Sequence, residues 1–119
     1  MHNRSIGRVG EAEALRYLEQ QGYRLVERNF YTRFSELDLI CRQGGTLVFV
    51  EVKARTSHAF GTPEEAITPG KIRRLRQGIA LYLAERQPRY SRIQLDAVAV
   101  DLAPGSLAVR DVRHYPNIG

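Results

Sequence analysis

Residues 35–55 read SELDLICRQGGTLVFVEVKAR, and the fold follows from how this stretch divides. Two runs of β-forming residues flank Gly44-Gly45, a pair that permits positive φ, so the stretch reads as two strands joined by a tight turn. The second strand, Leu47 to Lys53, begins with four apolar residues. A run that is apolar on both faces marks a central strand covered on both sides. Beyond Val50 the character changes. Side chains alternate along a strand, so Glu51 and Lys53 share one face about 7 Å apart. Glu36 and Asp38 likewise share a face on the preceding strand. Pairing across the turn then carries Asp38 toward Glu51 and Lys53. Two or three carboxylates and one ammonium are therefore expected at the end of a strand whose beginning is core.

Gathering carboxylates near a core is unfavourable, because like charges repel and loss of hydration penalises ionisation. A divalent cation removes the conflict: Mg²⁺ takes a few carboxylates, keeps several waters and completes its shell with phosphate oxygens. Lys53 could then orient or deprotonate a water, or offset charge on a phosphate under attack. The chemistry these residues suit is metal-assisted hydrolysis of a phosphodiester. An E-x-K triplet elsewhere is commonly an ordinary same-face ion pair. Here it follows an unbroken LVFV run and an acid-bearing strand thirteen residues earlier.

Asp38 followed by Glu51-Val52-Lys53 resembles the D…(D/E)xK signature of the restriction-endonuclease-like, or PD-(D/E)xK, nuclease superfamily. The ordered set GEAEA at 10–14, SELDLI at 35–40 and FVEVKAR at 49–55 more closely resembles the YraN-type bacterial family of predicted endonucleases, related to archaeal Holliday-junction resolvases. The resemblance covers nearly the whole chain. Leu37 stands where the superfamily often has proline and Ser35 where the family usually has glycine, and neither position supplies a ligand. The resemblance implies a Mg²⁺-dependent endonuclease, with Mn²⁺ able to substitute, acting on DNA that includes branched or repair intermediates. Asp38 and Glu51 would ligate metal with the Val52 carbonyl, and Glu11 would support a metal or water. Lys53 would assist the reaction, Glu36 would be an outer acid, and Lys71 would approach the site.

At 119 residues the chain fits one domain with one hydrophobic core. No apolar run reaches the roughly 18 residues needed to span a bilayer, and no signal-peptide pattern opens the chain, so a cytoplasmic location is expected. The single cysteine, Cys41, is expected to pack as a small hydrophobe. Three scattered histidines and one cysteine offer no zinc spacing. The net charge of +5, from 18 basic and 13 acidic residues, favours polyanionic partners.

Residues 5 to 21 read as an amphipathic helix opened by Asn3 or Ser5 and stopped by Gly22. Glu11 falls on its apolar stripe with Ala14, Leu15 and Leu18, where it wants a partner. Arg8 and Arg24 are the candidates if its role is structural. Tyr23 to Tyr31 reads as a first strand, completing a meander with the next two. Tyr23, Phe30, Tyr31 and Phe34, interleaved with Arg24, Arg28 and Arg33, would either stack on unpaired bases or fill the core. TSHAFGTPEEAITPG at 56–70 reads as an irregular loop with a helical turn after Pro63, close enough to the acids to border substrate. His58 lies in it and is left outside the catalytic set.

Thr68 and Pro69 start a second helix that runs to about Arg86 and is expected to bury Ile72, Leu75, Ile79 and Leu83. Lys71, Arg73, Arg74 and Arg76 crowd its positive end, a repulsion that bound phosphates would relieve. The last three, with Arg55, form the expected nucleic-acid contact. Residues 92–102 read as a strand covered on both faces, and residues 107–115 as a final strand. Asp96 and Asp101 are expected to be structural or exposed. The passage from Leu47 to Leu102 allows parallel pairing through a crossover helix. The expected fold is α/β and restriction-endonuclease-like: a mixed sheet with an αβββαβ core and a terminal strand, flanked by two helices. The competing readings are a nucleic-acid-binding module without turnover and a protein-interaction adaptor. A homodimer would supply two sites for cutting two strands.

Overall fold

The computed structural model describes residues 5–119. In chain order it contains α1 (Ile6–Gln20), β1 (Arg24–Tyr31), β2 (Glu36–Gln43), β3 (Thr46–Arg55), a 3-10 turn (Pro63–Ala66), α2 (Pro69–Arg86), β4 (Arg92–Leu102) and β5 (Val109–Tyr115). The strands form one sheet in the order β1-β2-β3-β4-β5. The first three make an antiparallel meander, β3 and β4 run parallel, and β5 returns antiparallel to β4. This is the mixed α/β architecture that residues 35–55 and the following strand–helix–strand passage lead one to expect. Among the described residues, no helix is long and apolar enough to cross a membrane.

Ser5 opens α1 by accepting the Arg8 N–H on Oγ at 3.3 Å. Asn3, the other expected start, lies outside the described residues. Gly22, at φ +92°, closes the helix: its N–H reaches the Glu19 carbonyl at 3.1 Å while the Tyr23 N–H reaches that of Leu18 at 3.0 Å. These are the two bonds of a Schellman stop. At α2, Thr68 Oγ1 accepts the Lys71 N–H at 3.2 Å and Pro69 takes the first helical position.

The central strand β3 divides the core. Val48, Val50 and Val52 pack with Val9, Ala14, Leu15 and Leu18 of α1, whereas Leu47 and Phe49 pack with Leu75, Ile79 and Tyr82 of α2. The stripe of α2 departs from expectation, because Ile72 and Leu83 are only half-buried and Tyr82 is buried. The Tyr82 ring meets Phe30 and Phe49 edge-on, with centroids 4.9 and 5.5 Å away. An aromatic trio of this geometry buries more area than a leucine and rotates the helix toward itself.

Gly10 fixes where α1 lies. A Cβ at that position would fall 2.5 Å from the Ala54 Cβ, so glycine alone lets the helix rest against the end of β3. Glu11, the next residue, is thereby delivered to the end of the sheet that holds Asp38 and Glu51.

Candidate functional site

The β2–β3 ladder runs from Gln43↔Thr46 to Leu39↔Val50. The next pair in that register is Asp38 with Glu51, and the ladder stops before it. Like charges directly opposite one another destabilise strand pairing, so the strands part into a fork. In place of a strand partner, the Val52 N–H donates to Asp38 Oδ2 at 2.9 Å. An extended residue directs its N–H and C=O to the same side, so the Val52 carbonyl also opens onto the fork.

Asn29 lies opposite Asp38 on β1, between the pairs Arg28↔Leu39 and Phe30↔Leu37. Its φ is +55°, a left-handed conformation that asparagine adopts more readily than most residues. Alternation breaks at this point, and Leu37 joins the core under α2 while Leu39 joins the core under α1. From this position Asn29 Nδ2 donates to Glu11 Oε1 at 3.1 Å and to Glu36 Oε2 at 2.7 Å. Glu11, Glu36 and Asp38 each present an oxygen within 4.8 Å of the others, close enough to share one cation. Glu11 is therefore held by Asn29 and not by Arg8 or Arg24. Helix spacing nominates neighbours along α1, whereas Asn29 arrives through tertiary packing of β1.

Glu51 is 3% exposed. Its Oε2 lies 3.5 Å from Lys53 Nζ and 3.6 Å from Lys71 Nζ, distances of charge compensation more than of hydrogen bonding. Its Oε1 is buried and has no hydrogen-bond partner among the described residues. Lys71 Nζ also reaches Ser35 Oγ at 3.4 Å. Burial holds the Asp38 carboxyl well above its ordinary range and the Glu51 charge raises it further, against the opposing Val52 N–H. Glu11 is raised too, chiefly by burial, with the Asn29 bond acting against it and Glu36 adding to it. An orphaned carboxylate oxygen among acids pushed toward protonation is relieved by a hard cation. The all-oxygen donor set fits Mg²⁺ or Mn²⁺.

The model of uncharacterised protein family UPF0102 matches residues 10–100. The chain belongs to the UPF0102 family. It is 50% identical over 115 residues to a UPF0102 protein of Beutenbergia cavernae, covering 97% of this chain and 96% of that one. A UPF0102 protein of Syntrophomonas wolfei is 43% identical over 110 residues, 92% of this chain and 96% of its own. One of Geobacter metallireducens is 37% identical over 117 residues, 98% and 93%. The matched segment contains every acid of the fork, Lys53 and Lys71.

In this UPF0102 chain the fork gathers Glu11, Glu36, Asp38, Glu51, Lys53, Lys71 and the Val52 main chain. Arg73, Arg74 and Arg76 lie exposed on the turns that follow Lys71, and Arg55 is exposed at the end of β3. Tyr23 and Phe30 are buried and so cannot stack on bases, while Tyr31 is exposed. His58 lies 2.9 Å from Asp101, away from the fork acids. Cys41 is fully buried and burial pushes its thiol up to about 12, in keeping with a packing role. Asn29 and Ser35 are the fork residues that sequence reasoning misses. The signal for the first is an asparagine inside a run of β-formers, a residue type that favours left-handed backbone.

Proposed function

We propose that this UPF0102 protein is a divalent-cation-dependent endonuclease that hydrolyses phosphodiester bonds of DNA. The observation that carries the reading is Glu51 Oε1, buried beside Asp38 and unpartnered among the described residues while two lysines flank the other oxygen. The resemblance of Asp38…Glu51-Val52-Lys53 to nuclease signatures and the basic net charge support it. Asp38, Glu51, the Val52 carbonyl and Glu11 would hold the cation, with Glu36 kept beside them by Asn29. A divalent cation supplies Lewis acidity toward phosphate oxygens and an acidified water. Lys53, on the same face as Glu51, donates to a phosphate oxygen or takes the proton of the attacking water at Nζ. Lys71 offsets the Glu51 charge from the first turn of α2. In the reaction a water oxygen forms a bond to phosphorus, the P–O ester bond breaks, and a proton passes to the leaving oxygen.

The deciding assay offers labelled linear, single-stranded, flapped and four-way DNA with Mg²⁺, Mn²⁺ or EDTA, beside Lys53→Ala. Expected is cleavage that needs metal and falls by about a hundredfold or more in the variant, the scale of losing one charge-stabilising group. Silence across the panel from folded, DNA-binding protein would replace this reading with a binding module that acts through Arg73, Arg74 and Arg76.

A further inference from the structure

The end of β3 beyond Lys53 carries two adjoining cavities that the hydrolytic residues leave unexplained. The smaller, about 180 Å³, is lined by Arg55, Thr56, Ser57, His58, Asp101 and Arg110. The larger, about 580 Å³, shares Arg55, Thr56 and Ser57 and adds Lys53, an apolar floor from Ile6, Val52 and Ala54, and Phe60.

The smaller cavity has a surplus of donors. Its one carboxylate, Asp101, is already held by Arg113 at 2.8 Å and His58 at 2.9 Å. Arg55 and Arg110 have no carboxylate partner among the described residues. The Ser57 hydroxyl accepts the Ala59 N–H at 3.0 Å and keeps its own proton to donate. Arg55 spends one N–H on the Ala54 carbonyl at 3.0 Å, and two guanidinium groups free of carboxylates beside hydroxyls match the geometry and charge of a phosphate. Phe60, fully exposed, stands on the rim of the larger cavity beside these cations. A ring face in water next to phosphate-binding residues is the platform on which an unstacked base settles; a base inside a continuous duplex has no free face.

We propose that the end of β3 is a DNA-strand subsite. Arg55, Arg110, Thr56 and Ser57 hold a phosphate next to the one at Lys53, and Phe60 stacks on an unpaired base. The subsite rests on the reading of the fork as a phosphodiester-hydrolysing centre, and it selects single-stranded or locally unpaired DNA over continuous duplex.

The test is fluorescence anisotropy of labelled single-stranded and duplex oligonucleotides in EDTA across a salt series, so that neither cation nor turnover enters. Wild-type protein is expected to bind the single strand several-fold tighter. Arg55→Gln with Arg110→Gln should weaken that binding about tenfold. It should also make the slope of log K against log salt shallower by about 0.7, the share of one single-strand phosphate contact. The charge-retaining pair Arg55→Lys, Arg110→Lys should keep the slope. Phe60→Ala should lose about tenfold on single strand alone, with the slope unchanged, the scale of one base–aromatic stack. An unchanged slope in the glutamine pair, or equal loss on duplex in Phe60→Ala, overturns the subsite. Intact cleavage with an unchanged slope removes the subsite and keeps the nuclease; the predicted slope change without cleavage does the reverse.

Discussion

Asp96 of β4 and the Asp38–Glu51 pair of the fork lie on one sheet, all buried, yet they are treated differently by their surroundings. Asp96 receives four partners. Tyr23 Oη at 3.2 Å and the His114 ring nitrogen at 2.7 Å meet Oδ2, while Gln94 Nε2 at 2.9 Å and the Asn117 N–H at 3.1 Å meet Oδ1. The result ties the link between α1 and β1, β5 and the C-terminal segment to the middle of β4. Asp38 has a backbone donor, and Glu51 has two distant ammonium groups on one oxygen and, among the described residues, no hydrogen-bond partner on the other. Burial alone therefore does not set a candidate ligand apart from a structural acid. Incomplete satisfaction does, because a buried polar atom without a partner is costly unless a ligand supplies one.

The strongest way to break the comparison is Asp96→Ala. It strands several donors in the core, so unfolding in urea should show a loss of about 3–5 kcal/mol and a fall in Tm of ten degrees or more. A loss below about 1 kcal/mol would erase the contrast between the two acids.

Asp38→Asn should act in the opposite direction. The amide oxygen can still accept the Val52 N–H but the side chain cannot ionise, so above the raised range of the Asp38 carboxyl metal-free protein should gain about 1–2 kcal/mol in the same experiment. The pH dependence has a defined sign. Folding raises the Asp38 and Glu11 carboxyls, so the native chain binds more protons than the unfolded one once the medium passes the ordinary carboxyl range. Metal-free protein should lose stability as pH rises from about 4 through neutrality, and Asp38→Asn or added Mg²⁺ should flatten that decline. Thermal unfolding across pH, with and without cation, checks both. A steady gain in stability over that window would contradict the strained fork.

Asn29→Ala sharpens the comparison with the smallest expected effect on the fold. Glu11 and Glu36 would lose the amide that holds them together, and calorimetric Mg²⁺ affinity should fall about tenfold, the usual consequence of removing a group that orients metal ligands. Alanine tolerates the left-handed φ of +55° less well than asparagine, so about 1 kcal/mol of stability should be lost, while water replaces the amide at this half-exposed site.

Much of this is legible in the residues themselves. The hairpin declares itself through Gly44-Gly45 between β-formers, and the parallel crossover through Thr68-Pro69 and the strand after it. The opposition of Asp38 and Glu51 follows from counting back from the turn, while Glu36 and Asp38 come together across a break in the alternation that nominated them. What fails is whatever depends on departures from regular geometry. Alternation cannot foresee that Asn29 turns left-handed or that Leu37 and Leu39, opposite it on β2, enter different cores. Helical periodicity nominates Leu83 because it has no way to weigh the aromatic pairing that buries Tyr82 instead. Gln94 shares a strand face with Asp96, but its other three partners, Tyr23, His114 and Asn117, lie in other segments at no regular spacing, so a bare aspartate in a strand carries no sign of them.

The Val52 amide, bonded to a side chain where its strand neighbours are bonded to backbone, gives the site a built-in reporter. Amides inside the ladder exchange with solvent only when the sheet opens, whereas this one is protected by a single carboxylate whose charge and occupancy can change. Its proton chemical shift and exchange rate should follow what happens at Asp38 while the amides of Val48 and Val50 stay constant. One backbone resonance would then read ionisation and cation capture at the fork without any label near the acids.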